Sequence, residues 1–363
     1  MENSKSITLF GIKYSGKELI DLCDCKISDS EIKEWEKDIF SFILNWISNS
    51  DHMLVMTSGS TGTPKTISIL KEHMVESAKA TITHFQLSSN STVWLCLPVG
   101  YIAGKMMIVR AMVGNINLVY SEPSSIPDID VSVIDFVAMV QNQVANLLKS
   151  SNGISLLEKA GHLLVGGSQI SHNVEVVLSN NHNISAWHSY GMTETITHIA
   201  LRSIGDNDSK AIFTPMNGVK LSLNSQCQLI INYKAIGVSN LNTNDIAQLY
   251  DDGTFSILGR VDDVIISGGI KIMPEPIENT LNQYLDYELF VSSLPDEVLG
   301  QKLTLFIEGK DIKLSFEKLY DLLANNFNKY EIPKTVCYIK KFVRTGNGKI
   351  NRKETVGSYL NAL

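Results

Sequence analysis

Short apolar runs alternate with amphipathic segments along the first two thirds of the chain. Apolar residues recur at helical spacing over 32–47 and again over 74–85, which predicts a packing helix in each place. Further helices are predicted over 104–113, 142–148 and 173–178. Runs rich in Val, Ile and Leu predict strands over 7–12, 53–56, 66–70, 92–97, 116–120, 133–139, 163–165 and 184–188. Strands that alternate with helices indicate right-handed crossovers and a mainly parallel sheet that helices cover on both faces.

The pattern changes near Leu221 to shorter strands separated by turns. Strands predicted over 228–233, 247–250 and 254–258 form a small β-rich lobe. Beyond Gly259 the pattern is α+β, with helices over 276–284 and 316–325 and strands over 289–293, 303–307 and 335–339. We therefore predict an α/β fold in which a large N-terminal domain, 1–261, contains the mainly parallel sheets and the β-rich lobe. A small, mobile α+β domain is predicted over 262–363.

Composition narrows the class of protein. A chain of 363 residues with 44% hydrophobic content can bury a full core and suggests two domains. The net charge of −7, from 31 basic and 38 acidic residues, argues against general nucleic-acid binding, which needs a basic face. No apolar run approaches the ~20 residues that span a bilayer. Residues 1–16 lack a secretory signal, so we expect a cytoplasmic protein with no membrane partner.

The five cysteines do not predict a disulfide framework or a metal site. They are odd in number and scattered along the chain. Cys23 and Cys25 resemble half of a metal site, but no second Cys or His pair at ligand spacing completes it.

The run Thr57–Ser58–Gly59–Ser60–Thr61–Gly62–Thr63–Pro64–Lys65 is the first stretch with chemical potential. Its hydroxyls, glycine backbone and lysine can surround an anion, as phosphate-binding loops do. It is not a Walker A loop, because Pro64 stands where that motif needs glycine and has no N–H to donate. A P-loop phosphotransferase is therefore disfavoured. The alternative is an ordinary Gly/Ser-rich turn between two strands.

Further candidate motifs follow in order. They are Gly166–Gly167–Ser168–Gln169, Ser189–Tyr190–Gly191–Met192–Thr193–Glu194, Asp245 with Gly259–Arg260–Val261–Asp262 and Gly268–Gly269, and Arg344–Thr345–Gly346–Asn347–Gly348–Lys349–Ile350–Asn351–Arg352. A hydroxyl and a carboxylate at Thr193 and Glu194 suit a metal-bound triphosphate, whereas a helix N-cap is the alternative explanation. Two glycines before Lys349 favour a loop that presents one ammonium group. Six basic residues and no acidic one lie between Lys340 and Lys353.

These motifs, in this order and spacing, resemble those of the acyl-adenylate-forming (AMP-binding) ligases. The resemblance implies ATP and coenzyme A as substrates and Mg²⁺ as cofactor. It implies phosphate contacts from Thr57, Ser58, Gly59, Ser60, Thr61, Gly62 and Lys65, and adenine or ribose contacts from Gly167, Ser168, Ser189, Tyr190, Gly191, Asp245 and Arg260. It further implies Lys349, Thr193 and Glu194 as catalytic residues with Glu194 at the metal, Asp262 as hinge, and Gly268 and Gly269 beside the coenzyme A arm.

A second, narrower resemblance indicates which acid is the substrate. The stretch 97–110 and the stretch 189–202 are similar to those of o-succinylbenzoate:CoA ligases of menaquinone biosynthesis. That resemblance implies acyl-pocket roles for Tyr101, Lys105, Met192 and His198. A substrate with a second carboxylate needs a cation, which Lys105 or Arg110 could supply. The alternatives are helix-surface roles for these two residues and a hydrogen-bonded core or surface role for His198.

Three further expectations remain open at this stage. Only 56 residues precede the Thr57–Lys65 run, fewer than in most of the family that the motifs resemble. A subdomain that packs against the rest of the protein in that family is therefore expected to be missing. The apolar surface left without it could be covered by a second copy of the chain, so a homodimer is expected. The thiol acceptor could be the phosphopantetheine of a carrier protein in place of coenzyme A. From a different functional class, the chain could be a non-catalytic nucleotide-binding protein, although Lys349 and Glu194 are both present.

Overall fold

The computed structural model describes residues 5–56, 65–205, 211–285, 287–309, 315–344 and 350–362. The chain divides into two compact units. The first unit comprises Met1–Ile170, Val174–Lys220 and Asn232–Asn240, and the second comprises Ser171–Asn173, Leu221–Ile231 and Leu241–Leu363. The predicted boundary at residue 261 and the mobility of the part beyond it stay predictions.

A mainly parallel sheet forms the centre of the first unit. Its strands are β1 (Ser6–Leu9), β2 (Ile12–Ser15), β5 (Thr92–Leu95), β6 (Asn117–Tyr120), β7 (Ile134–Val140), β8 (Ala160–Gly166), β9 (Ala186–Gly191), β10 (His198–Ser203) and β11 (Ile212–Pro215). They are neighbours in the order β11-β10-β9-β8-β7-β5-β6-β1-β2. The pairs from β1 through β6, β5, β7 and β8 to β9 are parallel, whereas β9–β10, β10–β11 and β1–β2 are antiparallel. A separate antiparallel pair consists of β3 (His52–Met56) and β4 (Thr66–Leu70).

Helices pack around this sheet. They are α1 (Gly16–Ser28), α2 (Glu34–Ile47), α3 (Lys71–His84), α4 (Ile102–Gly114), α5 (Gln141–Lys149), α6 (Gly153–Glu158) and α7 (His172–Asn180). The core beside β7 and β8 is made of fully buried apolar side chains such as Val137, Leu163 and Val165. Strands buried on both faces carry continuous apolar runs, which is typical of parallel sheets.

Four further strands follow in the chain. β12 (Lys220–Leu223), β13 (Gln228–Tyr233), β14 (Val238–Leu249) and β15 (Phe255–Arg260) are neighbours in that order, and of these β14 and β15 pair antiparallel. They correspond to the predicted β-rich lobe. Beyond them the hairpin β16 (Ile265–Ser267) and β17 (Ile270–Ile272) precedes the mixed sheet β18 (Leu289–Asp296), β19 (Gly300–Glu308) and β20 (Thr335–Ile339). The helices of this part are α8 (Pro274–Leu281), α9 (Phe316–Leu323) and α10 (Arg352–Leu360).

The predicted α/β class, with its β-rich lobe and α+β C-terminal part, is confirmed, but some elements differ. The run 7–12 is not one strand, because the chain reverses at Phe10 and Gly11, whose φ angles are 47° and 83°. A glycine adopts such an angle without steric cost. Strands β10 and β11 were not predicted. Most of β10 is buried on both faces, so it shows no alternation of polar and apolar positions.

Two features are absent from the part of the chain that the structure describes. None of the described helices is long and apolar enough to cross a membrane. Among the same residues, no group of three or more His, Cys, Asp or Glu side chains could hold a metal ion.

A buried lysine joins α2 to the strand pair β3–β4. The Lys71 ammonium donates to the carbonyls of Asn45, Trp46 and Ser48 at 2.9, 2.7 and 3.0 Å. These carbonyls lie at the C-terminal end of α2, where backbone acceptors lack partners within the helix. Lys71 is 7% exposed and directly follows β4, so it holds the strand pair against α2.

Replacing Lys71 by Met should destabilise the first unit by about 2 kcal/mol, because the stem remains while one buried and two partly buried carbonyls lose a charged donor. Urea unfolding followed by tryptophan fluorescence reports on this unit, since all four tryptophans lie in it. The matched control is Lys79→Met on the same helix, whose exposed ion pair with Glu76 should be worth under about 0.5 kcal/mol. Equal losses in the two variants would contradict this role for Lys71.

Two buried histidines on β9 and β10 are held neutral. Burial, with a contribution from the Arg202 guanidinium, lowers the pKa of His188 to about 3. Burial also lowers the pKa of His198 well below its usual value, helped by Arg110 and His84. Because the unfolded chain binds these protons near pH 6.5 and the folded chain does not, folding stability falls as the pH drops below that value.

For His188 alone, the free energy of unfolding should fall by about 2 kcal/mol between pH 7 and pH 5. A His188→Gln variant lacks this titration, so its loss over the same interval should be smaller by that amount. The measurement is urea unfolding of both proteins at the two pH values. Carboxylates contribute equally to the pH dependence of both proteins, so the difference between the proteins reports on His188. An identical pH dependence of the two proteins would show that His188 is not held neutral.

Candidate functional site

The first motif is bounded by paired strands. Met56 at the end of β3 lies opposite Thr66 at the start of β4, so the intervening residues join two strands in register. Lys65 is exposed and immediately precedes β4. The predicted phosphate contacts Thr57, Ser58, Gly59, Ser60, Thr61 and Gly62 lie outside the described residues. Their role therefore stays a prediction, whereas the two predicted flanking strands are confirmed.

The second and third motifs meet where β8 and β9 end side by side. These strands are parallel, with Val165 opposite His188. The Ser189 hydroxyl donates to the Val165 carbonyl at 3.2 Å. A Cβ on Gly166 would stand 2.6 Å from that hydroxyl, so the two strand ends pack too closely for a side chain at Gly166. Parallel sheets bind ligands at this edge.

The segment Gly167–Ser168, for which adenine contacts are predicted, turns sharply away from β8. Gly167 has a φ of +85°, a conformation that side chains disfavour. The Ser168 carbonyl accepts a hydrogen bond from His188 Nε2 at 3.1 Å. Gly167, Ser168, Ser189 and Tyr190 are thus brought to one edge of the sheet, as predicted for a nucleotide site.

A tight turn follows Gly191 at the end of β9. Thr193 is half-buried and Glu194 is exposed, so this carboxylate faces solvent at the sheet edge. Met192, not Thr193, is the N-cap residue of the turn Thr193–Thr195. The Thr195 hydroxyl oxygen lies 3.0 Å from the Met192 carbonyl and 2.8 Å from the Thr197 carbonyl, and its single proton is donated to one of them at a time. Thr195 is completely buried, and the sequence motifs did not indicate its role in this turn.

Ile196 marks a strained position beside Glu194. Its φ and ψ are 66° and −60°, and Thr197 N–H donates to the Thr195 carbonyl at 2.7 Å. This is a γ-turn, which is costly for a β-branched residue. The side chain is only 2% exposed, so packing holds the strained residue in place. The reversal sends β10 back antiparallel to β9.

The predicted acyl residues belong to several elements. Tyr101 precedes α4 and is half-buried. The Lys105 ammonium donates to the Val99 carbonyl at 2.7 Å and lies 5.6 Å from the centre of the Phe42 ring. Burial lowers the pKa of Lys105. Lys105 also lines a cavity of about 400 Å³ that Gly100 and His52 border.

His198 and Arg110 are interior residues. His198 Nε2 lies 3.3 Å from the Thr81 hydroxyl, within hydrogen-bond distance. Arg110 is 2% exposed, and its Nη1 donates to Met107 Sδ at 3.5 Å. Its Nε has no hydrogen-bond partner in the part of the chain that the structure describes. Burial lowers the pKa of Arg110 to about 10. The alternative of a helix-surface role is therefore wrong for Arg110.

The predicted ribose residues form a compact group within the second unit. Asp245 on β14 lies opposite Arg260 on β15, and Arg260 Nη1 donates to Asp245 Oδ1 at 2.8 Å. Arg260 also reaches Asp262 Oδ2 at 3.4 Å, and Asn244 donates to the same oxygen at 2.9 Å. Asp245 is 6% exposed, so Arg260 compensates a buried charge.

The predicted residues beside the coenzyme A arm lie at a turn of the second unit. Gly268 and Gly269 join β16 to β17 with φ angles of 57° and 82°, and Gly268 N–H donates to the Leu299 carbonyl at 2.9 Å. Lys349 lies outside the described residues. Before it, Arg344 forms an antiparallel bridge with Ile350, and after it Arg352 pairs with Glu278 at 2.8 Å.

A cavity of about 830 Å³ in the first unit includes none of the predicted residues. It is lined by side chains of α3 and of the strands β9 to β11, among them His84, Trp187, Leu201 and Met216. The site indicated by the motifs is instead an open sheet edge.

The chain is similar in sequence to known proteins over most of its length. The sequence model of the AMP-binding enzyme family matches residues 24–226. A 2-succinylbenzoate–CoA ligase of Listeria monocytogenes is 27% identical over 354 residues, covering 90% of this chain and 74% of the relative. One from Lactococcus lactis is 24% identical over 329 residues, covering 84% and 70%.

Solved structures are similar over nearly the whole chain. An acyl-CoA synthetase (AMP-forming)/AMP-acid ligase II-like protein of Dyadobacter fermentans is 29% identical with a TM-score of 0.61, covering 93% of this chain and 97% of its own. The o-succinylbenzoate coenzyme A synthetase of Bacillus subtilis, solved with ATP and magnesium ion, is 21% identical with a TM-score of 0.73; the match covers 90% and 78% and shows a shared fold. Since the family model spans more than half of the residues, this chain belongs to the AMP-binding enzyme family.

Proposed function

We propose that the protein is an ATP-dependent acid:CoA ligase that converts o-succinylbenzoate to o-succinylbenzoyl-CoA through an acyl-adenylate. The observation that carries the proposal is the meeting of the Gly167–Ser168 and Ser189–Glu194 segments at the carboxyl ends of β8 and β9. The names of the Listeria and Lactococcus relatives support the acid and the thiol.

The proposed reaction has two steps. A substrate carboxylate oxygen attacks the α-phosphorus of ATP, the bond to the β-phosphate oxygen breaks, and acyl-AMP and pyrophosphate form. The coenzyme A thiol then loses its proton and attacks the acyl carbon, and AMP leaves. In this scheme Thr57–Lys65 binds the leaving pyrophosphate, and Lys349 stabilises charge at the carboxylate and the α-phosphate.

Glu194 fits a role at Mg²⁺. Its carboxylate is exposed directly after the end of β9, beside Thr193, and magnesium prefers oxygen ligands of this type. Bound Mg²⁺ would neutralise part of the triphosphate charge. Thr193 would donate its hydroxyl to a phosphate oxygen of the same nucleotide.

Asp245 and Arg260 fit recognition of the ribose. A carboxylate held by a guanidinium at 2.8 Å is a preoriented acceptor for two neighbouring hydroxyls. Asp262, which both Arg260 and Asn244 contact, is the proposed hinge for a later domain movement. Gly268 and Gly269 are then proposed to lie beside the pantetheine arm of coenzyme A.

The second carboxylate of the acid needs a cation. Lys105 borders the 400 Å³ cavity together with Gly100, whereas Arg110 is buried without a carboxylate partner among the described residues. We assign this role to Lys105, with Tyr101, Met192 and His198 as the proposed acyl neighbours and Arg110 as the alternative cation. Cytoplasmic location and homodimer formation stay parts of the proposal.

A panel of acids tests the proposed function. With ATP, Mg²⁺ and coenzyme A, o-succinylbenzoate should give pyrophosphate and acyl-CoA, and without coenzyme A it should give one turnover of pyrophosphate. Release with another acid and none with o-succinylbenzoate would refute the substrate. Acyl transfer to a carrier protein but not to coenzyme A would favour the carrier-loading alternative, and ATP binding without pyrophosphate from any acid would favour a non-catalytic nucleotide-binding protein.

Lys349→Ala should slow adenylation on the order of a hundredfold or more, because one preorganised charge is lost from the reacting centre. Single-turnover pyrophosphate release measures this step. The matched control is Lys318→Ala, an exposed lysine on α9, which should keep the wild-type rate. Adenylation at the wild-type rate by the Lys349 variant would contradict the proposed mechanism.

A further inference from the structure

His188 occupies a position in the sheet that the predicted motif does not explain. Its ring nitrogens have two different partners: Nε2 is 3.1 Å from the Ser168 carbonyl, and Nδ1 is 3.1 Å from Arg202 Nε. A carbonyl only accepts and a guanidinium only donates. The proton is therefore on Nε2, and His188 donates to Ser168 while it accepts from Arg202.

Arg202 is itself held by a carboxylate. Its Nη1 and Nη2 donate to Glu175 Oε1 and Oε2 at 2.5 and 3.0 Å, a bidentate pair. Arg202 is 8% exposed, so it has little freedom to move away. Glu175 lies in the first turn of α7, and Ser168 precedes that helix. We call this chain of contacts, Glu175–Arg202–His188–Ser168, the loop clamp.

The loop clamp acts on the backbone of the segment that follows β8. Gly167 allows a φ of +85°, and a glycine peptide can reorient at little steric cost. Hydrogen bonds to the Ser168 carbonyl and to Glu175 attach both sides of the segment to β9 and β10. Both ring nitrogens of His188 are engaged, so it acts on a ligand only through Ser168.

We propose that His188 is a positioning residue for nucleotide recognition: through the Ser168 carbonyl it sets the backbone at which adenine binds. This inference rests on the proposed function, which assigns Gly167 and Ser168 to adenine. Adenine and guanine differ only at the base edge, so a displaced backbone weakens ATP binding and also the preference for ATP over GTP. The acid, which does not contact this segment in the proposed site, is unaffected.

The hydrogen bonds of the loop clamp require a neutral His188. Burial and the adjacent Arg202 lower its pKa to about 3, so the ring keeps one donor and one acceptor throughout the neutral pH range. Protonation would place a second N–H against Arg202 Nε, which cannot accept it.

Three variants and one control test the inference. His188→Phe keeps a ring without donor or acceptor, whereas His188→Gln keeps one of each on a planar group. Glu175→Gln keeps the shape but removes the charge that orients Arg202. The control is His84→Phe, another histidine of the first unit with aromatic neighbours, which lies outside the loop clamp and the proposed site.

The readout is pyrophosphate release, measured at saturating acid with varied ATP or GTP and again at saturating ATP with varied acid. His188→Phe should raise KM for ATP about tenfold and lower the ATP-over-GTP ratio of kcat/KM by a similar factor, with KM for the acid unchanged. His188→Gln should stay within about threefold of wild type, and Glu175→Gln should fall between the two. His84→Phe should match wild type in all constants.

Several outcomes would overturn the inference. One is a folded His188→Phe with wild-type KM for ATP and wild-type ATP preference; another is a fall in kcat alone. If His188→Phe does not fold, wild-type constants in Glu175→Gln would refute the loop clamp. If wild type releases no pyrophosphate with any acid, the proposed function fails, and calorimetric ATP binding by the same variants still decides whether His188 positions the nucleotide.

Discussion

The parallel pairing of β7, β8 and β9 is the constraint on which the candidate site depends. Parallel strands bring their carboxyl ends to one edge, and at this edge the Ser189 hydroxyl leaves no room for a side chain on Gly166. The two segments that follow, one from each strand, must therefore diverge at that point. The turn at Gly167 follows this close approach directly in the chain. A second close approach lies at the turn through Thr195 and Ile196, where a Cβ on Gly191 would stand 2.2 Å from the Thr197 carbonyl oxygen.

Buried charged groups make the arrangement specific. Arg202 is paired with Glu175 and with neutral His188, so β9, β10 and α7 are joined by directional contacts as well as by apolar packing. Lys71 performs a similar function for α2 and the β3–β4 pair. Arg110 on α4 differs, because it is buried and has no carboxylate partner among the described residues. Its uncompensated charge therefore lowers the stability of the fold.

Much of the fold could be predicted from the chain alone. The strands 66–70, 228–233 and 335–339 occur with the predicted bounds, because each is a short β-branched or apolar run next to a clear turn or helix signal. The hairpin at Phe10, strand β10 and the pairing of β16 with β17 were not predicted, since their patterns show neither clean alternation nor strong propensity. The motifs indicated Ser189, Tyr190 and Glu194, but not Thr195 or His188, which support them.

The order of motifs along the chain indicates the family, because its glycines, hydroxyls and a lysine can be recognised by residue type and spacing. Side-chain partners across the sheet cannot be recognised in this way. Whether His188 is a ligand, a surface group or a buried donor depends on which strand lies beside β9, and Arg202 and Ser168 reach it from segments 14 and 20 residues away. Only the packed sheet, which determines which buried polar groups meet, decides these roles.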